Sequence, residues 1–257
     1  MKESVDPKSL TVLVTGATSG FGEAACRRFI KEGARVVATG RREDRLAALK
    51  NELGARCLTA VLDVRDRAAV DALATGLPPE FAGVNVVIAN AGLALGLSPA
   101  PQADPEDWKT MIDTNISGLV HTVRAFLPGL TARGAGHVVL LGSVAGDFPY
   151  PGGNVYGATK AFVSQFALNL RADLLGADVR VTCVEPGLAE TEFSLVRFKG
   201  DAARAHGPYE GLRPLTGEDV AETIFWACTL PRHVNVNRLQ VMPTTQAFGP
   251  FAFKRGS

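Results

Sequence analysis

With 257 residues, 46% of them hydrophobic and 21% charged, the chain is long enough to bury a large core without covalent staples. A formal net charge of +1 supplies no broad basic field, so bulk electrostatics give no reason to expect nucleic acid as a partner. The cysteines Cys26, Cys57, Cys183 and Cys228 are too widely spaced for a metal knuckle, which predicts no metal and reduced thiols in a cytoplasmic protein.

Residues 1–9 read as a flexible polar leader without the apolar stretch of a signal peptide, and no later run is long and apolar enough to span a membrane. Residues 10–15 form a continuous apolar run with β-branched members, the pattern of a strand covered on both faces. The run leads directly into Gly16-Ala17-Thr18-Ser19-Gly20-Phe21-Gly22, after which residues 20–32 become helical and Gly33 is the stop. Strand, glycine turn and helix in that order place backbone N–H groups and a helix N-terminus where a diphosphate binds. A dinucleotide is the expected ligand.

Residues 34–39 form the second strand, whose end selects the cofactor. A carboxylate there accepts from the adenosine 2′-hydroxyl, whereas a cation accommodates a 2′-phosphate. Arg41 and Arg42 follow Gly40 with no acid beside them, so two guanidiniums favour NADP over NAD. A helix over 43–53 ends at Gly54, and a third strand over 56–62 terminates in Asp63-Val64. Asp63 has two physical jobs open to it: accepting from the adenine amino group and capping a helix over 65–73.

Residues 84–89 make the fourth strand, and Asn90-Ala91-Gly92 closes it with small residues that let backbone approach a ligand. A long helical region over 105–131 holds Asn115 among Met111, Ile112 and Leu119, where its amide requires polar partners. A fifth strand over 137–141 puts Ser143 just past its carboxyl end, on the same rim as Gly16 and Asn90. In the next helix, which continues to about residue 175, Tyr156 and Lys160 lie four apart and so share one face. An ammonium beside a phenol lowers its pKa from about 10, which makes Tyr156 a candidate proton acceptor.

The sixth strand, over 179–184, ends at Glu185-Pro186-Gly187, and residues 188–215 read as a long mobile segment. A helix over 216–230 and a last strand over 239–242 follow. Alternating strands and helices without a linker or repeat predict an α/β fold: a single doubly wound Rossmann domain over 10–257. Its central parallel sheet has about seven strands with helices on both faces.

Taken together, these residues resemble the short-chain dehydrogenase/reductase family over residues 10–245. The matching motifs are Thr15-Gly16-x3-Gly20-x-Gly22, Asp63, Asn90-Ala91-Gly92, Asn115, Ser143, Tyr156-x3-Lys160, and Pro186-Gly187 followed by Thr191. Within that family, residues 152–160 and 191–198 look like the NADP-dependent 3-hydroxy acid dehydrogenases. One departure is Ala89, where the family more often has a second asparagine beside Asn90.

The resemblance implies an oxidoreductase that moves a hydride between NADP(H) and small 3-hydroxy acids such as serine, allo-threonine or 3-hydroxyisobutyrate. It implies that Tyr156 takes the hydroxyl proton, that Ser143 bonds the reacting oxygen, and that Lys160 acidifies Tyr156 and holds the nicotinamide ribose. Asn115 then retains a water leading from Lys160 to solvent. Gly16, Thr18, Ser19, Gly20, Phe21, Gly22, Arg41, Arg42, Asp63, Val64 and Asn90 belong to the cofactor site, with Thr191 and the Pro186-Gly187 turn at the carboxamide. A 3-hydroxy acid also needs a cation for its carboxylate, for which Arg197 is the candidate, assisted by Asn154.

Two other readings are a reductase of neutral carbonyl compounds, such as diketones or keto esters, and a non-catalytic NADP-binding regulatory protein. A P-loop enzyme or serine hydrolase is set aside because Gly-Lys-Ser/Thr and a nucleophile elbow are missing. The resemblance further implies a homotetramer. The apolar stretch over 247–253 either packs against another subunit or lines the chain's own cleft.

Overall fold

The apolar runs pair into one sheet. The computed structural model describes residues 4–249 and 253. Its strands are β1 (Thr11–Thr15), β2 (Arg35–Gly40), β3 (Cys57–Val61), β4 (Val86–Ala89), β5 (Gly136–Leu141), β6 (Val179–Pro186) and β7 (Arg238–Val241). Among the described residues these seven lie in the order β3-β2-β1-β4-β5-β6-β7 with every neighbouring pair parallel. Strand order reverses between β1 and β4, and a crevice opens outside the carboxyl ends at such a point.

The connections are helical. They comprise α1 (Gly20–Lys31), α2 (Glu43–Leu53), α3 (Arg67–Gly76), α4 (Pro105–Ile112), α5 (Leu119–Ala132), α6 (Asn154–Asp173), α7 (Glu192–Arg197), α8 (Ala202–His206) and α9 (Gly217–Thr229). Side chains alternate across a strand, so β1 sends Val12 and Val14 into a core with Phe29 of α1 and Ile224 of α9. Leu13 enters the opposite core with Leu130 of α5 and Val163 of α6. Burying a side chain of this size stabilises the fold by about 1.5–3 kcal/mol, and the two cores together hold the crevice rigid from both faces.

Several local expectations are corrected. The leader is not loose over residues 5–9: Asp6 caps a 3-10 turn at Pro7–Ser9, and the Val5 N–H donates to the Thr229 carbonyl at 3.0 Å. The helix after β3 starts at Arg67 because Asp66, rather than Asp63, accepts from the Ala69 N–H at 3.0 Å. Residues 188–215, expected as a long mobile segment, contain α7, α8 and a 3-10 turn at Gly207–Tyr209. Thr191 and Asp201 cap those helices, and the Tyr209 hydroxyl donates to the Ala189 carbonyl at 3.0 Å. The long helical region is interrupted by a π segment at Asp113–Gly118 between α4 and α5.

The C-terminal stretch 247–253 lies partly outside the described residues, with an antiparallel bridge between Gln246 and Phe253. All four cysteines are free and buried. Among the described residues no helix is long and apolar enough to cross a membrane, and no cluster of His, Cys, Asp and Glu could hold a metal.

Candidate active site

The glycine turn is locked to β4 by Thr15 and Asn90. The Thr15 hydroxyl accepts from the N–H groups of Asn90 and Ala91, both at 3.1 Å, and Asn90 Nδ2 donates to the Thr15 carbonyl at 2.8 Å. Gly16 and Gly20 adopt φ of +68° and +55°, a region costly for other L-residues. A Cβ on Gly22 would lie 2.6 Å from Asn90 Nδ2 and press on the Gly16 carbonyl, so only glycine lets α1 begin this close to the turn. Beside it is a cavity of about 330 Å³ lined by Gly16, Thr18, Ser19, Gly20 and Phe21. This cradle fits the diphosphate of a dinucleotide.

Arg41, Arg42, Asp63 and Val64 line the same cavity further along the crevice, where β2 and β3 end. Arg42 is held on three sides: Nε donates to Thr18 Oγ1 at 3.2 Å, Nη2 to the Thr18 carbonyl at 2.9 Å, and Nη1 to Glu192 Oε2 at 2.8 Å. Arg41 is exposed and makes no ion pair among the described residues. Both Asp63 oxygens accept from the Arg65 guanidinium, and that cation holds the carboxyl below its usual range. A surplus of guanidinium over carboxylate fits a 2′-phosphate. Glu192 escaped sequence reasoning because its partner lies on another strand end; its position next to Thr191 was the only hint.

At the other end of the cavity stand Tyr156 and Lys160. The π segment turns Asn115 inward, and the extra residue per turn of such a bulge commonly marks a functional site. Asn115 Oδ1 accepts from the Leu93 N–H at 2.9 Å, while Nδ2 donates to the Leu93 carbonyl at 2.8 Å and to Thr159 Oγ1 at 3.1 Å. Asn115 thereby braces both the segment after Gly92 and the helix of Tyr156. Gly92 fits between Asn115 Oδ1 and Lys160 Nζ, which a Cβ would approach to 3.2 and 3.6 Å.

Lys160 Nζ donates to the Leu141 carbonyl at 2.7 Å and lies 5.9 Å from the centre of the Tyr156 ring. Burial pushes its pKa down to about 8, and burial pushes the Tyr156 phenol up to about 12. Arg197 and, more weakly, the Ser143 hydroxyl work against that rise. Arg197 is thus a second cation near the phenol, besides Lys160, the partner expected from the sequence. Ser143 also accepts from the Ala145 N–H at 3.1 Å, and Pro186 joins the rim beside it.

Arg197 closes the site from α7. Its guanidinium carbon lies 5.1 Å from the Tyr156 ring centre and 5.0 Å from that of Phe193, and Nη2 donates to the Tyr150 hydroxyl at 3.0 Å. Arg197 Nε is buried and has no hydrogen-bond partner among the described residues. Tyr150 was not singled out from sequence, because nothing in its spacing ties it to Arg197. Thr191, a cavity residue, caps α7 by accepting from the Phe193 N–H at 3.2 Å, and Gly187 donates to the Val241 carbonyl at 2.7 Å.

Asn154 does not join this group. Its Oδ1 accepts from Trp108 Nε1 at 3.0 Å and its Nδ2 donates to the Ser98 carbonyl at 3.1 Å. It lines a separate depression with Ala145, Tyr150 and Gly157. Its amide braces α4 against the start of α6, next to Tyr150, the partner of Arg197.

Residues 10–200 match the short chain dehydrogenase family. The NADP-dependent 3-hydroxy acid dehydrogenase YdfG of Escherichia coli (strain K12) is 57% identical over 240 residues, 93% of this chain and 97% of that protein. Sulfoacetaldehyde reductase 2 of Chromohalobacter salexigens is 58% identical over 247 residues, covering 95% and 98%. Among solved structures, the closed form of serine dehydrogenase complexed with NADP+ superposes with a TM-score of 0.92 at 56% identity, covering 95% of this chain and 99% of that one. With a family match over more than half its length and such relatives along nearly all of it, the chain belongs to the short chain dehydrogenase family.

Proposed function

We propose that the chain is an NADP-dependent oxidoreductase of small 3-hydroxy acids such as serine, allo-threonine or 3-hydroxyisobutyrate. The observation that carries this reading is the Arg197 guanidinium set beside Tyr156, with a buried Nε that has no acceptor among the described residues. An unmet charged donor costs several times what a neutral one does, and a substrate carboxylate would meet it. When bound, NADP supplies the hydride acceptor for oxidation and the donor for reduction.

Gly16, Thr18, Ser19, Gly20, Phe21 and Gly22 would hold its diphosphate, Arg41 and Arg42 its 2′-phosphate, and Asp63, Val64 and Asn90 its adenosine and inner ribose. Thr191, Pro186 and Gly187 would hold the carboxamide. Ser143 donates to the reacting oxygen, and Tyr156 takes or gives the hydroxyl proton. Lys160 anchors the nicotinamide ribose, and Asn115 fixes the backbone around it. A phenol held protonated at neutral pH can give its proton in reduction and must first lose it to serve in oxidation.

Similarity to a sulfoacetaldehyde reductase supports a second reading, reduction of an aldehyde that bears a sulfonate. The Arg197 guanidinium suits either anion. We further propose a cytoplasmic homotetramer, supported by four free thiols and by exposed Leu168 and Leu175 on and after α6.

The test follows absorbance of the reduced cofactor with 3-hydroxy acids, their neutral esters and sulfoacetaldehyde, using NADP and NAD in parallel. The acids should turn over with NADP, and Tyr156→Phe should lose about 100-fold or more. Equal rates for acids and esters would point to a neutral-carbonyl reductase. Tight cofactor binding without turnover of any compound would point to a regulatory protein.

A further inference from the structure

Helix α7 joins the two ends of the cavity. At its first residue, Glu192 Oε2 accepts from Arg42 at 2.8 Å and Oε1 pairs with Arg45 at 3.4 Å. At its last residue, Arg197 flanks Tyr156. Thr18 holds the Arg42 guanidinium from the other side, through its hydroxyl and its carbonyl. Arg42 and Glu192 both line the cavity. A phosphate dianion approaching Arg42 therefore meets a carboxylate that already neutralises that guanidinium. The two anions repel each other and compete for the same fork of donors.

We propose that Glu192 is a specificity-determining residue, an internal competitor of the cofactor's 2′-phosphate for Arg42, so that a 2′-phosphorylated cofactor unlatches the first turn of α7. This rests on the reading that Arg42 takes the 2′-phosphate. A cofactor with a 2′-hydroxyl brings no charge at that point and leaves the Glu192 pair in place. The competitor weakens the binding of NADP by a fixed factor and re-forms its own pair as the cofactor departs. Because α7 is six residues long, what happens at Glu192 reaches Arg197 through a single rigid turn and a half. Recognition at the adenosine end is thereby linked to the side chain that closes the catalytic end.

The side chains of Arg42 and Glu192 are 41% and 35% exposed, so the pair is screened and its removal is worth about two- to fivefold in affinity. The experiment titrates the full chain with adenosine 2′,5′-bisphosphate and with 5′-AMP by calorimetry, for the parent, Glu192→Gln, Glu192→Ala and Arg42→Ala. Both Glu192 variants should bind the bisphosphate about two- to fivefold tighter and 5′-AMP as the parent does. Amide exchange over residues 191–197 should accelerate in the parent when the bisphosphate is added and not when 5′-AMP is. Unchanged or weaker bisphosphate binding in the Glu192 variants would overturn the proposal, as would an equal gain for both nucleotides. If Arg42→Ala leaves bisphosphate affinity intact, the 2′-phosphate assignment of Arg42 falls as well. If Arg42→Ala weakens it while the Glu192 variants do nothing, only the competitor falls.

Discussion

The guanidinium carbon of Arg197 stands 5.1 Å from the centre of the Tyr156 ring, closer than Lys160 Nζ at 5.9 Å. A cation from α7 thus joins the one on the phenol's own helix in facing the buried ring. Lys160 spends its ammonium on the Leu141 carbonyl, which ties α6 to the end of β5. The acidity of Tyr156 depends on where α7 rests, so closure over the substrate and proton transfer share a part.

Arg197→Ala should raise KM and lower kcat/KM for 3-hydroxy acids by about 10- to 100-fold, the worth of a charged hydrogen bond. The neutral esters of the same compounds should lose less, only the part that comes from the changed acidity of Tyr156. Arg197→Lys should recover only part of the loss, since an ammonium cannot keep the Tyr150 contact and a carboxylate on one planar fork. Steady-state kinetics on acid and ester pairs decide this, and equal losses on both would contradict it.

The pH profile follows from the sign of the Tyr156 shift. Burial raises the phenol to about 12, so the phenolate is scarce at neutral pH and grows about tenfold for each pH unit below that value. Initial rates of oxidation should climb steadily from pH 7 to 10, while reduction stays level over the same window. In Arg197→Ala the climb should start from a lower rate, because the cation that opposes the rise is gone. An oxidation profile flat from pH 7 upward would refute the raised pKa of Tyr156 and mean that the base is already ionised at neutral pH.

Gly22→Ala places a methyl against the Gly16 carbonyl and 2.6 Å from Asn90 Nδ2. Overpacking of this kind costs about 1–3 kcal/mol, and here the strain falls on the turn that faces the diphosphate. Fluorescence titration should show NADP affinity reduced by about tenfold or more. Gly76→Ala, at the end of α3 with nothing within 4 Å, is the control and should match the parent.

Asn115→Ala removes the partner of both backbone groups of Leu93. Each buried group left unmet costs about 1–3 kcal/mol, and a denaturant titration should register a loss of that size. The loss should come with a lower kcat, because Thr159 and the first turns of α6 lose their brace. A variant with parental stability would mean that the amide is dispensable.

The sheet was legible because parallel strands covered on both faces leave unbroken apolar runs, as at Val12–Val14 and 86–89, each followed by small residues at the rim. The placement of Gly16, Asn90, Tyr156 and Lys160 on one cavity follows directly from that rim. What stayed hidden depends on partners distant in sequence. The π segment at Asn115 is a change of hydrogen-bond register, which hydrophobic period does not record. Helices α7 and α8 are too short to show a period and rely on Thr191 and Asp201 to cap their starts. The Glu192–Arg42 pair and the Arg197–Tyr150 contact join segments that only the fold brings together. The contacts of Asn154 with Trp108 and Ser98 were hidden for the same reason.

Every thiol in the chain is shielded, and burial pushes Cys57 up to about 11 and Cys183 and Cys228 up to about 12. At neutral pH the native molecule should therefore ignore alkylating reagents, which attack thiolates they can reach. Any label that does attach marks a chain that has opened at that point, with Cys26 reporting on α1, Cys57 on β3, Cys183 on β6 and Cys228 on α9. The molecule carries its own set of four unfolding reporters, readable by mass without adding a probe.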